Sequence, residues 1–143
     1  MDLREVYEDA IRCCANSTYS QEQINAWSAL AYLPGVLDKP LLYGCGWVSC
    51  VEDKIEAFAL KYPQDRLALL YCRGRSSRQG HATALLQKIE EDSRKERLVK
   101  LKTEASLCSY QLLLRHGWLI IANEKIQIGG VHFSRYLMEK KLC

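Results

Sequence analysis

A chain of 143 residues, 48% hydrophobic and 26% charged, has the size and usage of one globular domain, so a single unit spanning 1–143 is expected. No apolar run approaches the roughly 18 residues of a membrane span, and the start, Met1-Asp2-Leu3-Arg4-Glu5, lacks the charged-then-apolar order of a leader, which predicts a cytoplasmic protein with no membrane partner. A net charge of +3, with Lys and Arg mixed among acids, is too small and too scattered for a nucleic-acid partner.

Taken in order, Leu3, Val6, Tyr7, Ala10, Ile11 and Cys14 form one stripe of an amphipathic helix that begins almost at the first residue. A second helix starts at Ser20, whose hydroxyl caps it while Gln23 reaches back. Ile24, Trp27 and Leu30 follow, and Pro34-Gly35 stops it. Residues 36–46 contain Pro40 and Gly44 without a period and read as a loop. Residues 47–51 and 55–61 alternate around Glu52-Asp53-Lys54 as a hairpin. Tyr62-Pro63-Gln64-Asp65 is a turn and residues 66–72 the next strand. Further on, residues 98–105 alternate as a strand, residues 110–116 make a short helix closed by Gly117, and residues 118–122 open a last pair of strands around Gly129-Gly130. The seven cysteines, Cys13, Cys14, Cys45, Cys50, Cys72, Cys108 and Cys143, contain no C-x-x-C pair and no histidine at a zinc-like interval. Free thiols and no metal are expected.

The centre of the chain is residues 67–88, LALLYCRGRSSRQGHATALLQK. A buried-strand run gives way to a loop of Arg, Gly and Ser, and from Gly80 the period becomes helical, with Ala82, Leu85, Leu86 and Ile89 on one face. That helix runs to about Lys95, and the wholly polar residues 90–97 read as its solvated end. Strand, basic glycine loop and helix in this order make an anion site, because the N–H groups of a first helical turn have no partners within the helix. Arg73, Arg75 and Arg78 add positive charge suited to a diphosphate. Gly80 is followed by His81-Ala82 rather than Lys-Ser/Thr, which excludes a nucleotide-triphosphate loop. Gly74 and Gly80 do not make the three-glycine frame of a dinucleotide site.

The segment Ser77-Arg78-Gln79-Gly80-His81-Ala82 resembles the Q/R-x-x-G-x-G/A pyrophosphate loop of the GNAT superfamily, the acyl-coenzyme-A-dependent N-acetyltransferases. The resemblance extends in order through residues 19–27 (YSQEQINAW), Glu104-Ala105-Ser106, Arg115-His116-Gly117-Trp118, and a last stretch from Gly130-Val131 to Tyr136-Leu137-Met138-Glu139-Lys140, as in small bacterial members. It implies an α/β fold of the α+β mixed kind: a mostly antiparallel twisted sheet, helices on both faces, and a central parallel pair that splays to hold pantetheine. The family's first strand has no residues to form it here, so the sheet is expected to begin after the second helix. The implied co-substrate is acetyl-CoA. Backbone of Leu70, Tyr71 and Cys72 would pair with the pantetheine amides, and the turn Arg78, Gln79, Gly80, His81, Ala82 and Thr83 would hold the diphosphate. Ser77 stands where the family has Gln or Arg, so Arg75 or Arg78 is expected to take over the phosphate contact of that side chain. Ser106 and Ser109 stand near the pantetheine.

The implied activity is transfer of an acetyl group to a primary amine, on a small molecule or a protein, by a monomer or homodimer. Two usual helpers are missing. The family's Tyr, four residues before the Gly of the Gly-aromatic pair, is Leu113, and its strand carboxylate falls at Arg66 or Ala68. Glu104 at a strand end could act as base, and Tyr110, one turn before Leu113, could act as acid. A surface ion pair for Glu104 and plain packing for Tyr110 remain open. So do a phosphate contact or solvent exposure for His81, an acceptor-pocket or exposed position for Glu56, and a core position for Cys72. No histidine supports a nucleophilic role for Cys108. The absent helpers also leave room for a catalytically weak or inactive CoA-binding sensor or scaffold.

Overall fold

The computed structural model describes residues 3–13 in full, the backbone of residue 14, and residues 16–143. Helix α1, Leu3–Cys14, buries Val6, Tyr7, Ala10 and Ile11. Helix α2, Gln21–Ala29, starts with the expected capping box: the Gln23 N–H donates to Ser20 Oγ at 3.1 Å and the Ser20 N–H donates to Gln23 Oε1 at 2.9 Å. A single 3-10 turn, Leu30–Tyr32, ends it before Pro34.

The segment read as a loop contains a third helix, α3, Asp38–Tyr43. Pro40 does not prevent it, because it sits in the first turn, where a missing N–H removes no intrahelical bond. The Asp38 carboxylate ties the turn down by accepting the Gly35 N–H at 2.8 Å and pairing with Arg4 at 3.2 Å.

Six strands follow: β1 Cys45–Val51, β2 Lys54–Lys61, β3 Arg66–Cys72, β4 Lys100–Ala105, β5 Leu119–Ile128 and β6 Val131–Lys141. They form one sheet in the order β1-β2-β3-β4-β6-β5. Every neighbouring pair is antiparallel except β3 and β4. The β1–β2 hairpin closes through Glu52 and Asp53, both with positive φ, the two-residue geometry that matches strand twist. Helix α4, His81–Lys95, connects β3 to β4, and helix α5, Tyr110–Arg115, connects β4 to β5. The end of α5 folds back on itself, with the Trp118 N–H donating to Leu113 O at 3.0 Å and the Gly117 N–H to Leu114 O at 3.2 Å. Among the described residues no strand precedes α1, and no helix is long and apolar enough to cross a membrane.

The sheet separates two cores. On one face α1 and α2 pack Val6, Tyr7, Ile11 and Ile24 against Phe58, Leu69 and Phe133. On the other, α4 and α5 pack Leu86, Ile89 and Leu113 against Leu67, Leu101 and Met138. The polar end of α4 is not a solvated tail. Glu90 and Ser93 are buried, Lys61 of β2 donates to Ser93 Oγ at 2.9 Å and Glu96 Oε1 at 2.7 Å, and Lys140 of β6 donates to Glu90 Oε1 at 2.5 Å. Six cysteines are free thiols; the side chain of Cys14 lies outside the described residues.

Candidate active site

Strands β3 and β4 pair only at Arg66–Lys102 and Leu67–Thr103. At that junction Thr103 Oγ1 donates to Leu67 O at 2.7 Å and the Lys102 N–H to Asp65 O at 3.0 Å. Beyond it the strands part, as the parallel pair was expected to. The opening is a cleft of about 1340 Å³. On the side facing β4, residues 69–72 of β3 have no ladder partner among the described residues, so their peptide groups form an open strand edge.

Leu70, Tyr71 and Cys72 line one wall of the cleft, and Glu104, Ser106 and Ser109 the other. The turn at its end brings in Ser77, Arg78, Gly80, His81, Ala82 and Thr83. Arg78 has φ 60° and Gly80 φ 88°, two left-handed residues immediately before α4. No side chain caps the helix from Gly80, and a Cβ there would meet nothing within 4 Å. The 15-residue helix thus begins with no capping side chain and with open space beside Gly80, and the first-turn N–H groups of such a helix end favour an anion.

Several expected site residues are engaged elsewhere. Arg75 turns out of the cleft because a buried carboxylate draws it away: Glu56 accepts from its Nε at 2.8 Å and its Nη2 at 2.5 Å. Of the two arginines only Arg78 lines the cleft, beside Ser77. Glu56 itself is 3% exposed, neither in the cleft nor on the surface. Gln79 is exposed outside the cleft, its Nε2 donating to Arg75 O at 3.3 Å. His81 lies against Ser49 of β1, with Nδ1 2.6 Å from the Ser49 hydroxyl, rather than facing solvent. Tyr110 is outside the cleft and packs against Tyr136, the two rings tilted at 50° with centroids 4.8 Å apart. Leu113, at the position of the family's Tyr, is buried.

Glu104 is the one carboxylate among the described residues lining the cleft. Arg66 donates from Nε to its two oxygens at 2.9 and 3.2 Å. Ser106 and Ser109 face each other, Oγ to Oγ 3.2 Å, and Cys72 and Cys108 also line the walls. Sequence reasoning missed Tyr19 as a site residue. Its ring packs between Trp27 and Phe133, and its hydroxyl accepts the Leu107 N–H at 2.8 Å, fixing the segment after β4 to the start of α2. Burial pushes the Tyr71 phenol up to about 12 and raises those of Tyr19 and Tyr7, so all three stay protonated at neutral pH.

No protein-family model and no curated protein matches the sequence. Solved structures do match. A GCN5-related N-acetyltransferase from Rhodopseudomonas palustris superposes with a TM-score of 0.91 over 96% of this chain and 86% of its own, at 18% identity. The PaiA N-acetyltransferase of Thermoplasma acidophilum, solved with coenzyme A, gives 0.70 over 97% and 90% at 18% identity. YncA of Salmonella typhimurium, a putative acetyltransferase solved with acetyl-CoA, gives 0.64 over 99% and 87% at 15% identity. With a single splayed parallel pair in an otherwise antiparallel sheet and these neighbours along nearly its whole length, the chain has the GNAT fold.

Proposed function

We propose that the protein is an acetyl-CoA-dependent N-acetyltransferase that moves the acetyl group to a primary amine by direct attack in a ternary complex. The observation that carries this reading is the parting of β3 from β4 after Leu67, which joins an open strand edge to the uncapped start of α4 in one cleft. Pantetheine suits the edge formed by Leu70, Tyr71 and Cys72, and the diphosphate suits the turn at residues 78–83. Structural neighbours solved with coenzyme A or acetyl-CoA support the same ligand.

In the reaction the neutral amine nitrogen attacks the thioester carbonyl, the C–S bond breaks, and the thiolate leaves to be protonated. Alignment of the two reactants can supply ~7–11 kcal/mol, more than one acid or base contributes. Glu104 stands where a carboxylate can take the amine's proton directly or through water, and Arg66 orients it. A second reading, a CoA-binding protein that does not turn over, is favoured by that same Arg66 contact and by the buried Leu113 where an acid would stand.

The test is calorimetric titration with CoA, followed by acetyl-CoA with a panel of amines, read as free-thiol release. CoA binding with amine-dependent thiol release is expected, and Gly80→Glu, which places bulk and negative charge in the diphosphate path, should abolish the binding. Binding without release toward every amine would select the second reading. No binding by the unaltered protein, or undiminished binding by Gly80→Glu, would overturn both.

A further inference from the structure

Two carboxylates outside the cleft hold the loop that leads into its anion site. Glu56 of β2 accepts from the Ser76 hydroxyl at 2.6 Å as well as from Arg75, while its backbone carbonyl accepts the Arg73 N–H at 2.8 Å. From the other side, Asp9 of α1 accepts the Gly74 N–H at 2.9 Å. Gly74 lies so close to α1 that a Cβ there would meet Cys13 Cβ at 2.4 Å. Residues 73–76 are thus clamped between β2 and α1, and the turn bearing Arg78 and Gly80 starts from their fixed end.

We propose that Glu56 is a positioning residue for diphosphate binding: by holding Arg75 and Ser76 it sets the path of the loop, so that the N–H groups of residues 78–83 converge before any ligand arrives. This rests on the proposed CoA site. A loop held in its binding conformation loses less freedom when the ligand docks, and that saving appears as affinity. The bonds that hold it are strong, since a buried carboxylate accepting from a guanidinium and a hydroxyl makes charge-assisted contacts. They also keep the Glu56 carboxyl down at about 2, chiefly through Arg75 and then Ser76, so the clamp stays charged at neutral pH. A structural ion pair would be indifferent to which part of CoA is bound. A positioning role is confined to the diphosphate, because pantetheine lies along β3 rather than on the loop.

The experiment therefore compares dissociation constants for CoA and for pantetheine, which lacks the diphosphate, in the unaltered protein, in Glu56→Gln and in Ser76→Ala. Glu56→Gln should weaken CoA roughly ten- to hundredfold, the worth of hydrogen bonds to a charged group, and the ratio of CoA to pantetheine affinity should fall with it. Ser76→Ala removes one donor and should move the ratio in the same direction by less, which keeps the test available if Glu56→Gln does not fold. Equal weakening of both ligands, an unchanged ratio, or tighter CoA binding through a released Arg75 would overturn the proposal. Failure of the unaltered protein to bind CoA would instead sink the site reading on which it rests.

Discussion

At Glu104 a carboxylate faces the cleft while a guanidinium from the neighbouring strand holds it. If that group takes the amine's proton, Glu104→Gln should lower turnover within the ~10²–10⁴-fold range of a general base and steepen the pH dependence. Tyr110→Phe, outside the cleft and packed against Tyr136, should change turnover only a few-fold. Rates near those of the unaltered protein for Glu104→Gln would reduce the Arg66 contact to a structural ion pair. The position of Glu104 was legible in two steps: strand alternation and a following loop put it at a strand end, and the family resemblance put that end beside an opening. Its partner was not, because Arg66 reaches it through a parallel pairing of distant segments that no local pattern encodes. Arg75 and Glu56 fail for the same reason: their contact spans two elements far apart in sequence, and it takes both charges away from the cleft.

Helix α4 shows how differently the two ends of one element can be read. Its start was legible, since the change of period at Gly80 is a local fact. Its end was not, because a run of charged residues looks solvated until a buried lysine from β2 is found beneath it. Lys61 and then Gln64 hold the Glu96 carboxyl down from its ordinary 4.5 to about 2. A carboxyl depressed in the folded state contributes stability above its unfolded value and loses it as pH falls toward the folded one. Between pH 4.5 and about 2 the protein should therefore lose stability as Glu96 protonates. The effect should be roughly 1 kcal/mol rather than the full shift, because water reaches this carboxylate and screens the pair. Glu96→Gln should be less stable at neutral pH and show a flatter acid limb in urea unfolding. An acid limb parallel to that of the unaltered protein would assign the loss to other groups.

On the scale of the whole molecule, the sheet is two antiparallel blocks, β1-β2-β3 and β4-β6-β5, joined by a ladder at only two residue pairs. The meander β1-β2-β3 and the β5–β6 hairpin were foreseeable from turn signals. The place of β4 beside β6 was not, because that pairing joins segments distant in sequence, and the parting between the blocks followed from the family resemblance alone. The helices bridge what the ladder does not: α4 leaves β3 and returns to β4, burying Leu86 and Ile89 on the far face, while Tyr19 fastens the segment after β4 to α2. A ligand lying along the open edge of β3 would add the strand that is missing there and close the gap between the blocks. Ligand binding to the folded state alone stabilises it by about 2.7 kcal/mol when its concentration is a hundred times the dissociation constant. That gain should be distributed unevenly. Amide hydrogen exchange with CoA present should slow most in residues 69–72 of β3 and in the first turn of α4, where the unpaired groups lie, and least in β1 and β5 at the outer edges of the sheet. Uniform slowing across the sheet would mean that CoA stabilises the molecule without occupying the splay. Slowing confined to the α4 turn would place the diphosphate correctly and the pantetheine somewhere other than along β3.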